Sequence, residues 1–389
     1  MFSVTCGNWN NSANAGVFNR NFNNNRSNDN NNASFRASDY NSIPKISQEN
    51  IGDIGVTFPV GNTTKSAKSV TTKDSHFYEY FLDINNLYEA YLSARKHKRN
   101  KKAIYEFEKS LGLNLTALKD ELENFTYKPS EYRTFYVYEP KQRLIVAPNF
   151  RDSIVQHLIY NYIYDLFDRS FIHDNYGCRK LKGTHKASAR LQEFMRKHSN
   201  DKYYLQLDIR KYYYSINHNI LKELISKKIK DMRIVELIML FVDTAKGIGL
   251  YVGNVLSQLF GLIYLNLLDH YIKRVLKVKH YLRYVDDFVL VGLSKDEANA
   301  LKIKIEKFLK DNLELELSKF RIAKIKYGCN FVGFRTWQSM KFIRKHTLHN
   351  FSRKLKQNKM DSVISILGHS KHSSSYKYLI SKLGAKIAL

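Results

Sequence analysis

Cysteine, proline and tryptophan are scarce in this 389-residue chain, and long apolar runs are missing. The three cysteines, at positions 6, 178 and 329, are too scattered for a disulfide framework or a zinc site, which fits a reducing cytoplasm. The most apolar stretch, residues 255–268, is interrupted by Ser257, Gln258 and Asn266 and falls short of the ~20 residues that span a bilayer. No secretory signal pattern is visible at the start. We therefore expect a cytoplasmic protein that is neither secreted, disulfide-stapled nor membrane-spanning.

Acidic residues are also in the minority. Lys and Arg total 63 against 36 Asp and Glu, a formal net charge of +27, while hydrophobic residues make up 43%. So positive a chain favours a polyanion, either nucleic acid or an anionic membrane surface. Residues 319–360 hold 12 Lys or Arg and no Asp or Glu, which suits a surface for backbone phosphates; a merely solvated basic face is the alternative.

The first 75 residues differ from the remainder. Residues 8–32 contain 13 asparagines, which favour turns over helix or strand, so we predict that residues 1–36 are disordered. Residues 37–75 are rich in Ser, Thr, Lys and Gly and read as a linker. From residue 76 the pattern is that of a globular protein, with room for two or three compact units at ~100–200 residues each.

Hydrophobic periodicity predicts both helices and strands in the globular part. Helices are expected over residues 78–94, 103–125, 151–167, 219–230, 255–275 and 295–309. Residues 132–146 and 281–291 have the pattern of hairpins, and residues 203–209 that of a strand with Tyr204, Gln206 and Asp208 on one face. A strand-rich stretch to residue 334 and a basic helical tail follow. This order indicates an α+β fold.

Carboxylates at the ends of these strands are the main candidates for chemistry. The run Tyr-Val-Asp-Asp at residues 284–287 places Asp286 and Asp287 at an expected exposed hairpin turn with no basic residue directly beside them. A solvated turn is one reading, and a divalent-cation site is the other. Asp208 ends the 203–209 strand, where a helix cap is the alternative. Three carboxylates on one sheet can hold two Mg²⁺ ions, with Mn²⁺ as a substitute, for phosphoryl transfer.

These segments resemble reverse transcriptases. Leu-Asp-Ile-Arg-Lys-Tyr-Tyr-Tyr-Ser-Ile around Asp208 and the Tyr-Val-Asp-Asp run look like palm motifs A and C of that family. The stretch Val-Gly-Asn-Val-Leu-Ser-Gln at residues 252–258 is similar to motif B of diversity-generating retroelement enzymes, where most reverse transcriptases have Gln-Gly and Ser-Pro. Further matching segments are residues 139–143, 150–157, 176–179, 182–187, 331–335 and 342–345. The resemblance covers about residues 76–360.

The resemblance implies a right-hand polymerase fold with an antiparallel palm sheet and a helical, basic thumb. Fingers are expected over residues 76–202, palm with part of the fingers over 203–335, and thumb over 336–389. The resemblance also implies an error-prone enzyme that copies a template-repeat RNA into cDNA mutated at adenines, for diversification of a target gene. Its implied partners are template RNA, cDNA, dNTPs and a small basic helical accessory protein.

Site residues follow from the same resemblance. Asp208, Asp286 and Asp287 are the expected catalytic residues, and with Ile209 they are the expected metal ligands. Lys141 and Arg143 could grip the incoming triphosphate, unless their hairpin is simply solvated. Tyr213 occupies the position of an aromatic plate that excludes a ribose 2′-hydroxyl, with core packing as the alternative.

Motif B and the basic tail supply the remaining candidates. The predicted nucleotide contacts there are Val252, Gly253, Ser257 and Gln258. A polar helix start is the other interpretation of the last two. The predicted nucleic-acid contacts are Arg335, Arg344, Lys345, Arg353 and Lys354.

Other readings remain open at this level. The asparagine-rich segment resembles the end of a lectin-like variable region read as protein, or else is an ordinary polar leader. A phage-defence reverse transcriptase of the abortive-infection or retron type would share most of the motifs. A non-catalytic RNA-binding protein on a polymerase fold is a third reading, against which the three intact aspartates argue.

Overall fold

The structure is a computed structural model that describes residues 78–138, 142–245 and 247–387. The predictions for residues 1–36, residues 37–75 and Lys141 lie outside the described residues. Within them, helices combine with antiparallel sheets, and the predicted α+β class is confirmed. None of the helices in these ranges is long and apolar enough to cross a membrane.

The first part of the described chain is helical with one hairpin. Its helices are α1 (Glu79–Leu82), α2 (Ile84–Arg95), α3 (Lys102–Glu108), α4 (Leu111–Glu123), α5 (Phe150–Asp168) and α6 (Thr184–Arg196). The hairpin predicted over residues 132–146 is confirmed as β1 (Arg133–Val137) paired with β2 (Arg143–Ala147). Helix α2 buries Leu87, Ala90, Tyr91 and Ala94 at the i, i+3, i+4, i+7 spacing of one helical face and packs on α5.

Two predicted helices are each divided in the structure. The helix expected over residues 78–94 breaks at Asp83, whose side chain accepts a hydrogen bond from Asn85 N (2.8 Å) and so starts α2 as an N-cap. The helix expected over 103–125 breaks before α4, where Ser110 leaves the helical conformation (φ −131°, ψ 44°). The first break is thus made by a side-chain cap and the second by a change of backbone conformation, and neither interrupts the apolar periodicity on which the two predictions depend.

The central sheet has strand order β4–β5–β3–β6. Its strands are β3 (Tyr203–Ile209), β4 (Tyr281–Tyr284), β5 (Asp287–Leu293) and β6 (Leu317–Lys324), all antiparallel to their neighbours. One face of β3 is buried through Leu205, Leu207 and Ile209. The other face is closed at Tyr204, whose hydroxyl donates to Gly328 O (3.1 Å), and opens toward Asp208. The sheet therefore presents one accessible end.

Helices flank this sheet and connect its strands. They are α7 (His218–Ser226), α8 (Met232–Val242), α9 (Val255–His270) and α10 (Lys295–Leu313). The helix predicted over 255–275 ends at His270 and continues as a π-helical turn, Tyr271–Val275. Helices α6 and α8 are not among the predicted elements. Helix α8 exposes Arg233, Glu236 and Leu240 at helical spacing and buries the apolar residues between them, a pattern that the sequence analysis overlooked.

A second sheet and three helices complete the described chain. The sheet contains β7 (Cys329–Phe331), β8 (Phe334–Thr336) and β9 (Lys341–Ile343) in that order. Strand β9 falls in the segment expected to be the helical tail, so that tail begins only at Lys345. The helices are α11 (Lys345–Lys356), α12 (Met360–Ser370) and α13 (Ser375–Ile387).

Candidate active site

Strand register brings the predicted aspartates to the open end of the central sheet. Asp208, near the end of β3, lies directly opposite Asp287, the first residue of β5. Asp287 also pairs with Tyr284 of β4, so Val285 and Asp286 form the two-residue turn between these strands. Directly opposed residues in an antiparallel pair have Cα atoms about 4.5–5.5 Å apart. Residues far apart in the chain therefore meet at one edge.

The turn is neither exposed nor free of basic neighbours, which corrects both sequence expectations. In the turn, Val285 is 2% exposed and Asp286 is half-buried, and Asp287 beside it is 5% exposed. Positive charge reaches the turn from Arg143, Arg283 and Arg344, each of which lowers the pKa of Asp286 or Asp287. The sequence places these arginines outside the turn, so only folding reveals them as its neighbours.

Val285 holds the turn in an unusual backbone conformation. Its φ is +58°, the left-handed region that a β-branched residue rarely adopts. Such a residue costs about 1–3 kcal/mol and persists only where the surroundings hold it. The turn that carries Asp286 is therefore locally strained.

Burial and mutual repulsion raise the pKa values of the clustered carboxyls. Burial, with the nearby Asp208 charge, raises the pKa of Asp286 to about 7, although Arg143 and Arg283 act in the opposite direction. Burial also raises the pKa of Asp287 well above its ordinary value, and Asp286 and Asp208 add to the effect. An oxygen-only donor set with excess negative charge fits a hard divalent cation such as Mg²⁺.

Neighbouring side chains hold two of these carboxylates in place. Ser318 of β6 donates to Asp208 Oδ2, and the Gln206 amide donates to Asp287 Oδ1 (3.0 Å) and Asn330 O (2.9 Å). In the described ranges, no three Asp, Glu, His or Cys side chains converge as a ready-made metal site. An ion that joins all three carboxylates would therefore require them to move closer together, while Asp208 can offer its second oxygen and keep the bond from Ser318.

Gln206 and Ser318 are functional neighbours that the sequence reasoning missed. Gln206 lies on the same face of β3 as Asp208, and that alternation was the available signal. Ser318 lies on β6, and no local pattern links it to Asp208. Ile209, the fourth predicted metal ligand, has a buried side chain at the end of β3, so only its main chain is available to an ion.

We expect Mg²⁺ affinity to weaken as the pH falls through about 7. The raised pKa of Asp286 means that the folded metal-free protein holds a proton there which the ion must displace. By the same linkage, the free energy of unfolding of the metal-free protein decreases as the pH rises from about 4 to about 7, because the folded protein holds the proton more tightly than the unfolded chain. Binding of Mg²⁺ restores this stability. Isothermal titration should show affinity dropping up to about tenfold per pH unit below 7. Asp286→Asn should make this dependence less steep, with the raised pKa of Asp287 accounting for what remains, and a pH-independent affinity in the parent would contradict the prediction.

Arg143 and Tyr213 lie beside the carboxylates, as the predicted nucleotide site requires. Arg143 begins β2 and is near enough to Asp286 to lower its pKa. Tyr213 lies in the 3₁₀ helix Tyr212–Ser215, 8% exposed, and its hydroxyl is buried without a hydrogen-bond partner among the described residues. The Asp286 charge and burial both raise the pKa of Tyr213. Their roles toward a nucleotide stay predictions.

Motif B joins the β1–β2 hairpin to this site. Val252 O accepts a hydrogen bond from Val146 N of β2 (3.2 Å). Gly253 has φ +136°, and a Cβ there would lie 2.9 Å from Val146 O, so this crossing requires glycine. Asn254 caps α9 by accepting from Ser257 N (2.7 Å); Ser257 is buried and Gln258 half-buried.

The structure separates the five predicted nucleic-acid contacts. Arg344, between β9 and α11, is close enough to Asp287 to lower its pKa. Arg335 on β8 is exposed, stacks over the Trp337 ring at 4.9 Å and donates to Tyr327 O (2.8 Å). The other three contacts, Lys345, Arg353 and Lys354, lie on α11.

Comparison with curated proteins finds distant relatives. The chain is 25% identical to "Protein YkfC" of Escherichia coli (strain K12), over 58% of this chain and 71% of that protein. It is 23% identical to "Group II intron-encoded protein LtrA" of Lactococcus lactis subsp. cremoris, over 75% of this chain and 58% of that protein. The chain thus spans less than two thirds of the intron-encoded protein.

Solved structures with a similar arrangement include telomerases. That of Candida albicans, in complex with a fragment of telomeric RNA, is 10% identical with a TM-score of 0.46, over 67% of this chain and 56% of the telomerase. Apo telomerase of Candida tropicalis is 13% identical with a TM-score of 0.45, over 67% of this chain and 59% of the telomerase.

The family profile supplies the assignment. The profile described as "Reverse transcriptase (RNA-dependent DNA polymerase)" matches residues 128–336, more than half of the 389-residue chain. This segment begins before the β1–β2 hairpin and includes the central sheet with all three aspartates. This match confirms the predicted enzyme class, RNA-directed DNA polymerase. The chain belongs to the reverse transcriptase family.

Proposed function

We propose that this protein extends a primer along an RNA template. The observation that carries the proposal is the placement of Asp208 opposite Asp287, with Asp286 in the adjoining turn. Phosphoryl transfer relies on positioning and charge stabilisation, so a site of carboxylates without a protein nucleophile is sufficient. Two Mg²⁺ ions held by these residues would activate the primer 3′-hydroxyl and stabilise the pyrophosphate leaving group.

The surrounding residues bind and orient the substrates in this proposal. Arg143, with Lys141 beyond the described residues, binds the incoming triphosphate. Tyr213 lies under the sugar and excludes ribonucleotides. Arg344 lies next to Asp287, where its charge can contact a phosphate of the primer end. The basic helix α11 holds the duplex backbone, together with Arg335.

Primer extension with Mg²⁺ on a defined RNA tests this function. Incorporation of dNTPs that depends on RNA template, primer and Mg²⁺ is the expected result. RNA binding without any synthesis would instead favour the non-catalytic reading.

The finer proposal is an error-prone enzyme of a diversity-generating retroelement. It rests on the residues of motif B and on the resemblance of the asparagine-rich segment to a lectin-like variable region. In this proposal the template-repeat RNA is copied into adenine-mutagenised cDNA, and a small basic helical protein assists. The flanking DNA distinguishes this role from phage defence, because a near-repeat that differs only at adenines is expected beside the gene.

We expect Val252→Gln to lower misincorporation opposite template adenine several-fold. Val252 is half-buried where motif B meets β2, and a glutamine there could add one hydrogen bond that restrains the nascent pair. One such bond contributes about 0.5–1.5 kcal/mol, and ~1.4 kcal/mol is tenfold in rate. Deep sequencing of cDNA, with errors counted by template base, measures the effect. The control Val275→Gln, at a residue that is 64% exposed, should leave the error rate at every template base unchanged. An unchanged adenine error in an active Val252→Gln enzyme would contradict the prediction.

A further inference from the structure

The strained turn at Val285 is held from inside the protein by a buried arginine. Arg283, two residues earlier on β4, is fully buried, and its Nη1 donates to Val285 O (2.8 Å). Asp286 follows immediately, so this hydrogen bond fixes the main chain from which the carboxylate projects. A long charged side chain is thus directed at a main-chain oxygen of the catalytic turn.

The arginine is itself fixed by a buried carboxylate. Arg283 Nε and Nη2 donate to Asp269 Oδ1 (2.7 Å) and Oδ2 (2.5 Å), a two-pronged contact that locks the plane of the guanidinium. The Tyr281 hydroxyl also donates to Asp269 Oδ1 (2.6 Å). Asp269 lies near the end of α9, the helix that motif B begins. The pair therefore connects motif B to the turn of motif C.

A short extended segment supports the outer edge of the same strand. Arg283 N donates to Asp174 O (3.0 Å), and Tyr176 N donates to Arg283 O (2.8 Å). At Gly177, an added Cβ would lie 2.6 Å from Val285 N and 2.7 Å from Val285 Cγ2. The Tyr-Gly-Cys-Arg run of the sequence, which has no role in the proposed chemistry, thus presses against the turn.

Stability alone is a weak reason for such an arrangement. A buried ion pair often contributes no more than well-packed apolar side chains of similar volume, because both charges lose their water. An apolar replacement would fill the space but could not hold Val285 O. The ion pair can therefore have two roles, support of the fold and orientation of the turn, and an apolar replacement tests them separately.

We propose that Asp269, Arg283 and Gly177 are positioning residues that hold the Val285 turn so that Asp286 faces Asp208 and the reacting phosphate. The inference rests on the proposed polymerase function and adds residues outside the carboxylate site. None of the three needs to touch substrate. They act through the Val285 main chain.

The test replaces the polar cluster by an apolar one. The triple variant Tyr281→Phe, Asp269→Leu, Arg283→Met leaves no buried charge of the pair behind. We expect it to fold and to keep the RNA affinity of the parent, since apolar pairs can substitute for buried ion pairs, with a melting temperature lowered only by the loss of the hydrogen bond to Val285 O. The kcat for primer extension should fall about a hundredfold, with KM for dNTP changed less than about threefold, because the turn loses its orientation.

A second two-pronged ion pair, with an exposed arginine, provides the control. Arg233 makes a two-pronged contact with Asp231 (2.9 and 2.6 Å) at the start of α8. Within the described residues, these hydrogen bonds do not involve the Val285 turn. Arg233→Met with Asp231→Asn, which can still cap α8, should leave kcat within about twofold of the parent.

Two single variants apply if the triple variant does not fold. Arg283→Lys keeps the charge, but one ammonium cannot reproduce the fork between Asp269 and Val285 O, so kcat should fall about tenfold while circular dichroism is unchanged. Gly177→Ala should also lower kcat, since its methyl displaces Val285.

The outcomes separate the two proposals. Folded variants of this cluster with kcat within about threefold of an active parent would overturn the positioning role, since a 1 Å misplacement costs about a hundredfold. A parent without activity on primed RNA would overturn the proposed function, and this inference with it.

Discussion

Asp286→Asn is expected to reduce DNA synthesis at least about a thousandfold, because an amide cannot replace a carboxylate that holds the catalytic metal. A thousandfold corresponds to about 4 kcal/mol of transition-state stabilisation. RNA binding should stay near that of the parent, since in the proposed function the cations of α11 and their neighbours, rather than this carboxylate, contact the phosphates. Single-turnover extension on a primed RNA, with binding measured separately, gives both quantities.

An exposed aspartate supplies the control for this variant. Asp311 lies exposed on α10, so Asp311→Asn makes the same chemical change away from the carboxylate cluster and should leave synthesis unaltered. Activity of Asp286→Asn within about tenfold of the parent would refute metal binding at this position. A joint loss of RNA binding and activity would point instead to a damaged fold.

The second large effect is expected for sugar selection by Tyr213. Tyr213→Ala should lower the preference for dNTP over rNTP roughly ten- to a hundredfold, because overpacking by an extra group costs about 1–3 kcal/mol and the smaller side chain removes that clash. The buried ring lies close to Asp286, which is where a nucleotide held by the metal site would bring its sugar. Ratios of kcat/KM for matched dNTP and rNTP measure the effect.

Tyr213→Phe separates the ring from its hydroxyl. The hydroxyl has no hydrogen-bond partner in the described part of the chain, so its removal should leave both discrimination and stability unchanged. The ring also packs on α9, where a Cβ at Gly261 would lie 3.1 Å from it, so the alanine variant should melt at a lower temperature. If that variant is destabilised but discriminates normally, Tyr213 is a core residue and another group excludes the 2′-hydroxyl.

The sequence by itself determined which residues form the candidate active site. The Tyr-Val-Asp-Asp run between apolar strands and the aspartate at the end of residues 203–209 were sufficient to predict the hairpin, the strand and the candidate carboxylates. These features are local, since strand alternation and turn preference depend on neighbours in the chain. The α+β class followed for the same reason. Local capping was harder to recognise, and helices 78–94 and 103–125 were predicted without their breaks.

Only the tertiary structure decided how these pieces meet. Strand register places Asp208 opposite Asp287, and the fold brings Arg143 and Arg344 to the same edge from distant segments. The partners Ser318 for Asp208 and Asp269 for Arg283 likewise have no signature in their own segments. Contacts of this kind depend on which surfaces the whole chain buries together, and a side chain's neighbours in sequence carry little information about them. The turn predicted to be exposed is for this reason largely buried, with Asp286 half-buried, and is flanked by positive charge.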